Sequence, residues 1–342
     1  MSALPRVAAF LAPVRDTPDH IALAEELGFG AAWVYDSPLL YHDPFATLAR
    51  AADRTSRIGL GIGVVVPGLR APAATAAGLR TLAALAPGRV RAAVGAGFTG
   101  RFTLGLGPVP IRRLARELDD VRGLLDGEER AHVEGGAPIR DMPVPGAEGD
   151  GDGDVPLYVS CRGPRAQALA RDRGDGAMTG ILYPGGLHLL RAGIGEGIPL
   201  TVHAVGAVAD DDEPLDSPRL RAAVGPVVGV AFHAFAEQPW RLEGLPDALR
   251  ERARAYIDAV DAAHGGPRRH QALHRGHLVE VVLPQDEAVI DAGTIAAMSF
   301  TGTAAALRER AEALAADGVD ELAVQPGGDV ADGLRRLAAA LL

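Results

Sequence analysis

The sequence predicts an α/β protein of the (β/α)8 barrel class, and three observations carry that prediction. Eight short Val/Ala/Leu-rich runs alternate with Ala/Leu/Arg/Glu stretches of helical length, the pattern that packs helices around parallel strands. Several helical stretches end in glycine or Pro-Gly and return directly to a strand, as barrel connections do. The 342 residues fall within the range of about 200 to more than 400 that such barrels reach with insertions.

In order, strands are expected at 7–11, 31–35, 58–66, 90–95, 157–160, 176–179, 200–208 and 321–325. The first helix opens at Thr17 and Pro18, a cap followed by proline at the first helical position, and Gly28 supplies its stop. A helix over 70–86 is closed by Pro87 and Gly88, and one over 303–317 by Gly318. Two stretches break the rhythm. Residues 127–154 carry a Gly/Asp run at 146–154 that is too polar to bury, and a mobile surface loop is expected there. Residues 210–299 separate the seventh and eighth strands, with at least one helix, at 246–264, and several irregular turns; barrel specificity usually resides in such loops. The expected organisation is one barrel domain over 1–342 with these two insertions.

Composition narrows the function. Hydrophobic residues make up 48% of the chain and aromatics 4%, so Ala, Val, Leu and Ile must build the interior. A formal charge of −10 leaves no basic footprint, so neither nucleic acid nor a membrane surface is an expected partner. Every basic side chain is Arg, and Asn is absent as well, a usage expected of a GC-rich bacterial genome. The single cysteine, Cys161, excludes an intramolecular disulfide and fits a reducing compartment. Residues 1–15 carry no charged leader with a long apolar run, and no 18 apolar residues run uninterrupted. A cytoplasmic protein acting on a small molecule is the expectation.

Several residues suggest chemistry. Asp36 ends the second predicted strand, on the face where barrel active sites lie, and reads equally as a turn or helix cap. Ser160, Cys161, Arg162, Gly163 and Pro164 lead from the fifth strand into a helix whose first N–H groups suit an anion. Ser160 adds a hydroxyl, Arg162 a charge, and Pro164 fits the first turn; an ordinary strand-to-helix turn reads the same way. Gly59, Gly61 and Gly63 allow close packing within a strand or a bulge. The pairs Gly95/Gly97 and Gly105/Gly107 lack the following helix and acid of a dinucleotide fingerprint. Arg112, Arg113 and Arg116 with Glu117, Asp119 and Asp120 read as a solvated helix face with intrahelical pairs. His264, His270, His274 and His277 crowd one stretch, but no acid or thiol has matching spacing, so solvated histidines are expected there rather than a metal site.

The joint order of several segments resembles the luciferase-like oxidoreductases. They are residues 25–37, Asp43-Pro44-Phe45, residues 55–67 with Arg70 and Pro72, and Pro87-Gly88-Arg89 before Gly95-Ala96-Gly97. Residues 155–159 before Gly163-Pro164, Gly174-Asp175-Gly176, Phe300-Thr301-Gly302-Thr303 and residues 318–321 complete the series across nearly the whole chain. Asp36-Ser37-Pro38 with Tyr41-His42-Asp43-Pro44, and Gly97-Phe98-Thr99-Gly100-Arg101, look most like the branch that uses the deazaflavin coenzyme F420, typified by methylenetetrahydromethanopterin reductase. The flavin mononucleotide (FMN) branch shares the barrel.

The resemblance implies a third-strand bulge with a non-prolyl cis peptide, matching Gly63 and Val64, that presses on the cofactor's tricyclic ring. It implies that Asp36 contacts the polar edge of the ring and serves as a catalytic candidate. Gly97, Phe98, Thr99, Arg101 and Thr179 become candidate cofactor contacts, and Ser160, Cys161, Arg162, Gly163 and Pro164 the candidate phosphate site. Ser37 stands where several relatives have His, and Phe98 where sugar-phosphate dehydrogenases of the branch carry a catalytic Glu. The expected reaction is therefore reduction of a C=C or C=N bond by reduced F420, with His277 or His42 giving the proton. An FMN-dependent monooxygenase and a non-catalytic flavin-binding barrel are the alternatives, and a homodimer is the assembly that relatives suggest.

Overall fold

The computed structural model describes residues 4–131, 135, 137–140, 154–180, 186–281 and 283–342. Eight parallel strands close into a barrel: β1 (Arg6–Leu11), β2 (Ala31–Val34), β3 (Gly59–Val65), β4 (Val90–Val94), β5 (Leu157–Ser160), β6 (Gly176–Gly180), β7 (Leu200–Gly206) and β8 (Glu321–Pro326). Each pairs with its sequence neighbours, and β8 closes on β1 through Arg6 opposite Glu321. All eight predicted strands are present. The helix ends follow the punctuation read in the sequence, Thr17–Leu27 stopping at Gly28, whose φ of 95° is left-handed, but its start differs: Thr17 is the first helical residue and Asp16 stands at the cap without a side-chain bond, while Ala304–Ala316 is capped by the Thr303 side chain on the N–H of Ala306.

Strand periodicity divides the apolar residues into two layers. One side packs on the helices, as Ala9, Val34, Leu60, Val94, Val159 and Val202 do. The other fills the lumen with Phe10, Trp33, Tyr35, Tyr158 and Met178. So few large rings fill a barrel only if small residues face them. Gly61 lies where a Cβ would come within 2.3 Å of the Trp33 ring, and Gly63 where one would meet Met178 Sδ at 2.9 Å. Charge is buried among them as well: Glu321 accepts hydrogen bonds from Trp33 Nε1 at 2.8 Å and Thr201 Oγ1 at 3.2 Å, and pairs with Arg91 at 2.6 Å.

The seventh strand departs from the expected 200–208. It leaves the barrel at Gly206, and Val208–Ala209 forms a separate two-residue parallel ladder with Gly302–Thr303. The cause is a close approach: a Cβ at Gly206 would lie 2.1 Å from the Phe300 carbonyl oxygen, while Phe300 N–H donates to Val205 O at 2.8 Å. Backbone cannot yield as a side-chain tip does. Gly206→Ala is therefore expected to cost about 3 kcal/mol, the upper part of the overpacking range. Urea denaturation reads this directly, and a loss below about 1 kcal/mol contradicts it.

The insertion between β7 and β8 is more ordered than the irregular turns expected. Besides Asp247–His264 it contains the helices Pro218–Glu237, Arg269–His274, Pro284–Glu287 and Ala292–Met298. They enclose a second apolar cluster built on Val224, Val228, Phe232, Tyr256 and Ile295 and anchored to the barrel at Val205 and Ala207. Pro218–Glu237 is long and apolar enough to cross a bilayer, yet most of it is buried in this packing. The Gly/Asp run at 146–153, expected as a surface loop, lies outside the described residues. The helix face read as solvated is only partly so: on Ile111–Leu125, Glu117 is buried, and Asp119 pairs with Arg173 of the neighbouring helix rather than within its own.

Candidate active site

The carboxyl ends of the strands and the loops beyond them form the mouth of the barrel, where catalytic groups of this architecture collect. On β3 the Gly63–Val64 peptide is cis, and the register with β4 shifts between Gly63 and Val65. The Val64 side chain is half-buried and lies against Gly95, where a Cβ would come within 2.6 Å of it. A small residue at 95 thus makes room for an apolar bulge at the mouth.

At the end of β2, Asp36 is buried with its Oδ2 3.5 Å from Arg70 Nε, and neither atom has a hydrogen-bond partner. Burial raises the Asp36 pKa, and the attraction of Arg70 offsets this only in part. Arg70 is shared with Asp43, which also caps the helix Pro44–Ala52 through the Ala46 N–H. Ser37 is buried beside Asp36.

Beyond β4, Gly97 has φ +70°, a left-handed turn that glycine adopts without penalty. The short helix Thr99–Phe102 then folds tightly onto β2: a Cβ at Gly100 would lie 2.9 Å from the Asp36 carbonyl oxygen. Thr99 is buried there, its carbonyl accepting from the Thr103 hydroxyl at 2.9 Å. Arg101 turns inward to donate to Gly107 O at 2.6 Å and Pro67 O at 3.3 Å, so it braces loops rather than facing the mouth. Phe98 and Phe102 lie edge to face at 5.0 Å, and His274 from the insertion packs on both.

The opposite rim is aromatic and polar. Tyr41 Oη is 2.9 Å from His277 Nδ1, and the Tyr35 ring meets both edge-on, at 5.0 and 5.3 Å. Burial, and then the nearby His274 and His233, hold the His277 pKa down at about 3, so its imidazole is neutral. His277 adopts φ +43°, in the left-handed region that non-glycine residues rarely enter. Gln325, at the end of β8, donates to Leu278 O at 3.1 Å, and its Oε1 is buried without a partner. His42 is exposed on the rim, with its backbone N–H on Pro13 O at 2.9 Å.

Across the mouth, Ser160 ends β5 on the lumen side, two residues from Tyr158. Cys161 points the other way: its thiol is buried in the helix-facing layer, which pushes its pKa up to about 12, and its N–H is used by Met178 O at 2.9 Å. Gly163 and Pro164 start the helix Pro164–Arg173, and nothing lies within 4 Å of a Cβ built on Gly163, so this turn is open. Arg162 and His203 meet above β6, where a Cβ on Gly180 would touch both at 3.6 and 3.3 Å. His203 stacks on Phe10 at 4.9 Å, and burial followed by Arg162 lowers its pKa to about 4. Thr179 lies on the face of β6 that carries Ala177 into the helix-facing layer, away from the lumen.

Asp36, Val64, Phe98, Ser160, Arg162 and Gly163 thus lie at or just beyond the carboxyl ends of β2 to β5, and His277 reaches the same end of the barrel through Tyr35 and Tyr41. The structure leaves Thr179 and the Cys161 thiol behind the barrel wall, and Arg101 in the loops. Tyr35, Tyr41, His203 and Gln325 are mouth residues that the sequence reading did not single out. The histidines of the insertion are not solvated as expected: His274 is fully buried and His270 Nδ1 donates to the Glu237 carboxylate at 2.7 Å. His233 pairs with Asp286 at 3.0 Å.

Comparison with known proteins follows the same lines. The family model described as luciferase-like monooxygenase matches residues 3–321. A 5,10-methylenetetrahydromethanopterin reductase of Archaeoglobus fulgidus is 26% identical over 314 residues, covering 89% of this chain and 87% of the relative. An F420-dependent glucose-6-phosphate dehydrogenase of Beutenbergia cavernae is 36% identical over 181 residues, 47% of this chain and 51% of the relative. Among solved structures, the coenzyme F420-dependent tetrahydromethanopterin reductase of Methanopyrus kandleri superimposes with a TM-score of 0.72 at 21% identity, covering 99% of both chains.

Proposed function

Because the chain belongs to the luciferase-like monooxygenase family, we propose that it is an F420-dependent reductase that adds hydride to a C=C or C=N bond of a small metabolite. The observation that carries this reading is the pairing, at one mouth, of an apolar bulge at Val64 with a buried Asp36 oxygen that has only its 3.5 Å ion pair with Arg70 and a buried Gln325 Oε1 that accepts no hydrogen bond. A flat heterocycle with a polar edge answers both needs at once. Unpaired buried acceptors are costly until a ligand donor reaches them, so the residues present fit a ring of this kind.

Bound against Val64, reduced F420 supplies the hydride. The chain's own residues do the rest. Asp36 meets the polar edge of the ring, and Phe98 walls one side. The open turn at Gly163, with the Ser160 hydroxyl and the Arg162 guanidinium, takes the anionic tail. Loops from β2 and the insertion close the rim with rings and keep water out. Phe98 at the end of the fourth-strand loop offers no carboxylate to an alcohol, which favours reduction of an unsaturated bond over oxidation of a sugar.

Fluorescence titration of the full chain with oxidised F420 and with FMN tests the reading. Binding of F420 at or below the micromolar range, with FMN at least about tenfold weaker, is the expected result. Preference for FMN, with oxygen consumed when the reduced flavin is supplied, replaces the reading with that of a monooxygenase. Tight F420 binding without anaerobic turnover on any enone or imine points instead to a non-catalytic flavin-binding barrel.

A further inference from the structure

We propose that the Tyr41 hydroxyl delivers the proton that completes the reduction, and that His277 is the positioning residue that holds it. This deepens the reductase reading and rests on it.

Tyr41 and His277 come from segments 236 residues apart, yet their side chains meet at 2.9 Å. Of the two, Tyr41 is the one a substrate can reach: it is half-buried on the rim, whereas His277 is 8% exposed behind it. Tyr41 and Val64 both pack against the lumen cluster that contains Phe10, Tyr35 and Met178, which places them at the same end of the barrel. The left-handed backbone at His277 is a conformation held by its surroundings, of the sort that accumulates where a side chain must be aimed.

The groups around the pair set its chemistry. His277 faces Tyr41, Tyr35, His274 and His233, with no carboxylate among its shift-causing neighbours. A neutral imidazole with its proton on Nδ1 donates to Tyr41 Oη and leaves the hydroxyl proton free to point into the mouth. Tyr41 itself is pushed up to about 12 by burial, against smaller opposing contributions from Tyr35 and the Leu278 backbone. Such an acid keeps its proton at neutral pH and gives it only to a strong base. The base is made by the reaction: as hydride adds to the carbon of a C=C–C=O or C=N group, the π pair moves to oxygen or nitrogen. The Tyr41 O–H bond breaks, its proton passes to that atom, and the phenolate left behind accepts from His277 Nδ1 until water restores the proton. Hydride and proton together give the saturated amine from a C=N group and the enol from an enone, which tautomerises to the saturated ketone as its O–H proton is lost to water and its α-carbon takes one up, and F420 is left oxidised.

The test combines F420 titration, steady-state kinetics on an enone and an imine, and NMR of histidine-labelled protein without cofactor. Tyr41→Phe is expected to lower kcat by about 10²- to 10³-fold while KM and the F420 Kd stay within about threefold. His277→Asn keeps an N–H donor and tolerates the left-handed backbone, and should retain activity within about tenfold of wild type; His277→Ala should approach Tyr41→Phe. In the cofactor-free protein, the His277 ring is expected neutral with Nδ1 hydrogen-bonded, and that signature should vanish in Tyr41→Phe. The wild-type kcat should show no limb near about pH 6.5, where an ordinary histidine titrates. Wild-type turnover in Tyr41→Phe, or a limb near that pH that Tyr41→Phe retains, overturns the assignment and returns the proton to a histidine. Failure of wild type to bind F420 at all overturns the reductase reading instead, so the two failures are distinct.

Discussion

Replacing Glu321 by Leu is expected to destabilise the protein by about 3–5 kcal/mol, the cost of leaving a buried charge without its partner. The carboxylate is 3% exposed and ties three strands together: Trp33 on β2, Arg91 on β4 and Thr201 on β7. Removing it strands the Arg91 guanidinium, which lies 4.5 Å over the Trp33 ring and has no second carboxylate within ion-pair distance among the described residues. The indole N–H loses its acceptor in the same step. Two companions separate charge from packing. Glu321→Gln keeps an acceptor for Trp33 and Thr201 and should lose less. The double change Arg91→Met with Glu321→Leu removes both charges and should recover most of the loss, because an apolar pair of similar volume often serves as well as a buried ion pair. Urea denaturation of these variants and of Arg91→Met alone reads the coupling, and additive losses would contradict it. Glu321 opens β8 at the end of the barrel opposite the mouth, so any folded fraction should bind cofactor normally.

The eight strands were legible because each is a short apolar run bounded by glycine, proline or a charged helix, and parallel strands need nothing more to be recognised. The same simplicity hid the lumen. Arg91 and Glu321 stand as lone charges inside otherwise apolar strands, a signal that each required a partner, but the partner lies 230 residues away and no local pattern names it. Pro218–Glu237 escaped notice for another reason. Its Ala, Val and Gly give no clear polar face, and Pro226 interrupts it, so a helix buried in the insertion's own core looks like irregular chain.

The site divides along the same line. Asp36 and the Gly163 turn follow from strand ends, which the sequence marks, whereas the bulge at Gly63 and Val64 was expected only through the family resemblance, since glycines at 59, 61 and 63 read equally as close packing within a strand. Thr179 and Cys161 were misplaced by parity: one residue along a strand moves a side chain from lumen to helix layer. Tyr41 was read only as part of a family-like segment and given no role, because its partner His277 arrives on an insertion whose path depends on the packing of Phe232, Tyr256 and Leu273. The run of histidines was the available signal, and burial rather than spacing gave it meaning.

That burial has a consequence for acid stability. His277 and His203 keep neutral rings with pKa values near about 3 and about 4, because their sites offer an imidazolium little solvent and place His274, His233 and Arg162 nearby. In the unfolded chain both titrate near about 6.5. Above that pH neither state binds the protons, and the full stability is present. Below it the unfolded chain takes them up and the folded chain does not, so stability falls with pH by about 1.4 kcal/mol per unit for each ring. By about pH 5 both folded rings are still neutral, so the loss is about 2 kcal/mol each, or about 4 kcal/mol together. The carboxylates held low by hydrogen bonds, such as Glu25, contribute mainly below that point. Two effects oppose the trend: buried carboxyls whose pKa is raised, such as Asp36 and Glu117, favour the folded state as they protonate, and the net charge of −10 shrinks toward zero as the pH approaches the isoelectric point near 5.5, which relieves repulsion. Repulsion among exposed charges is screened by salt, whereas proton uptake at a buried ring is not. Urea midpoints at about pH 7 and about pH 5 in moderate salt should therefore differ by several kcal/mol, and His277→Asn should remove about half of the difference. Equal stability at the two pH values would mean that these imidazoles reach solvent, and with it the neutral partner assigned to Tyr41 would be lost.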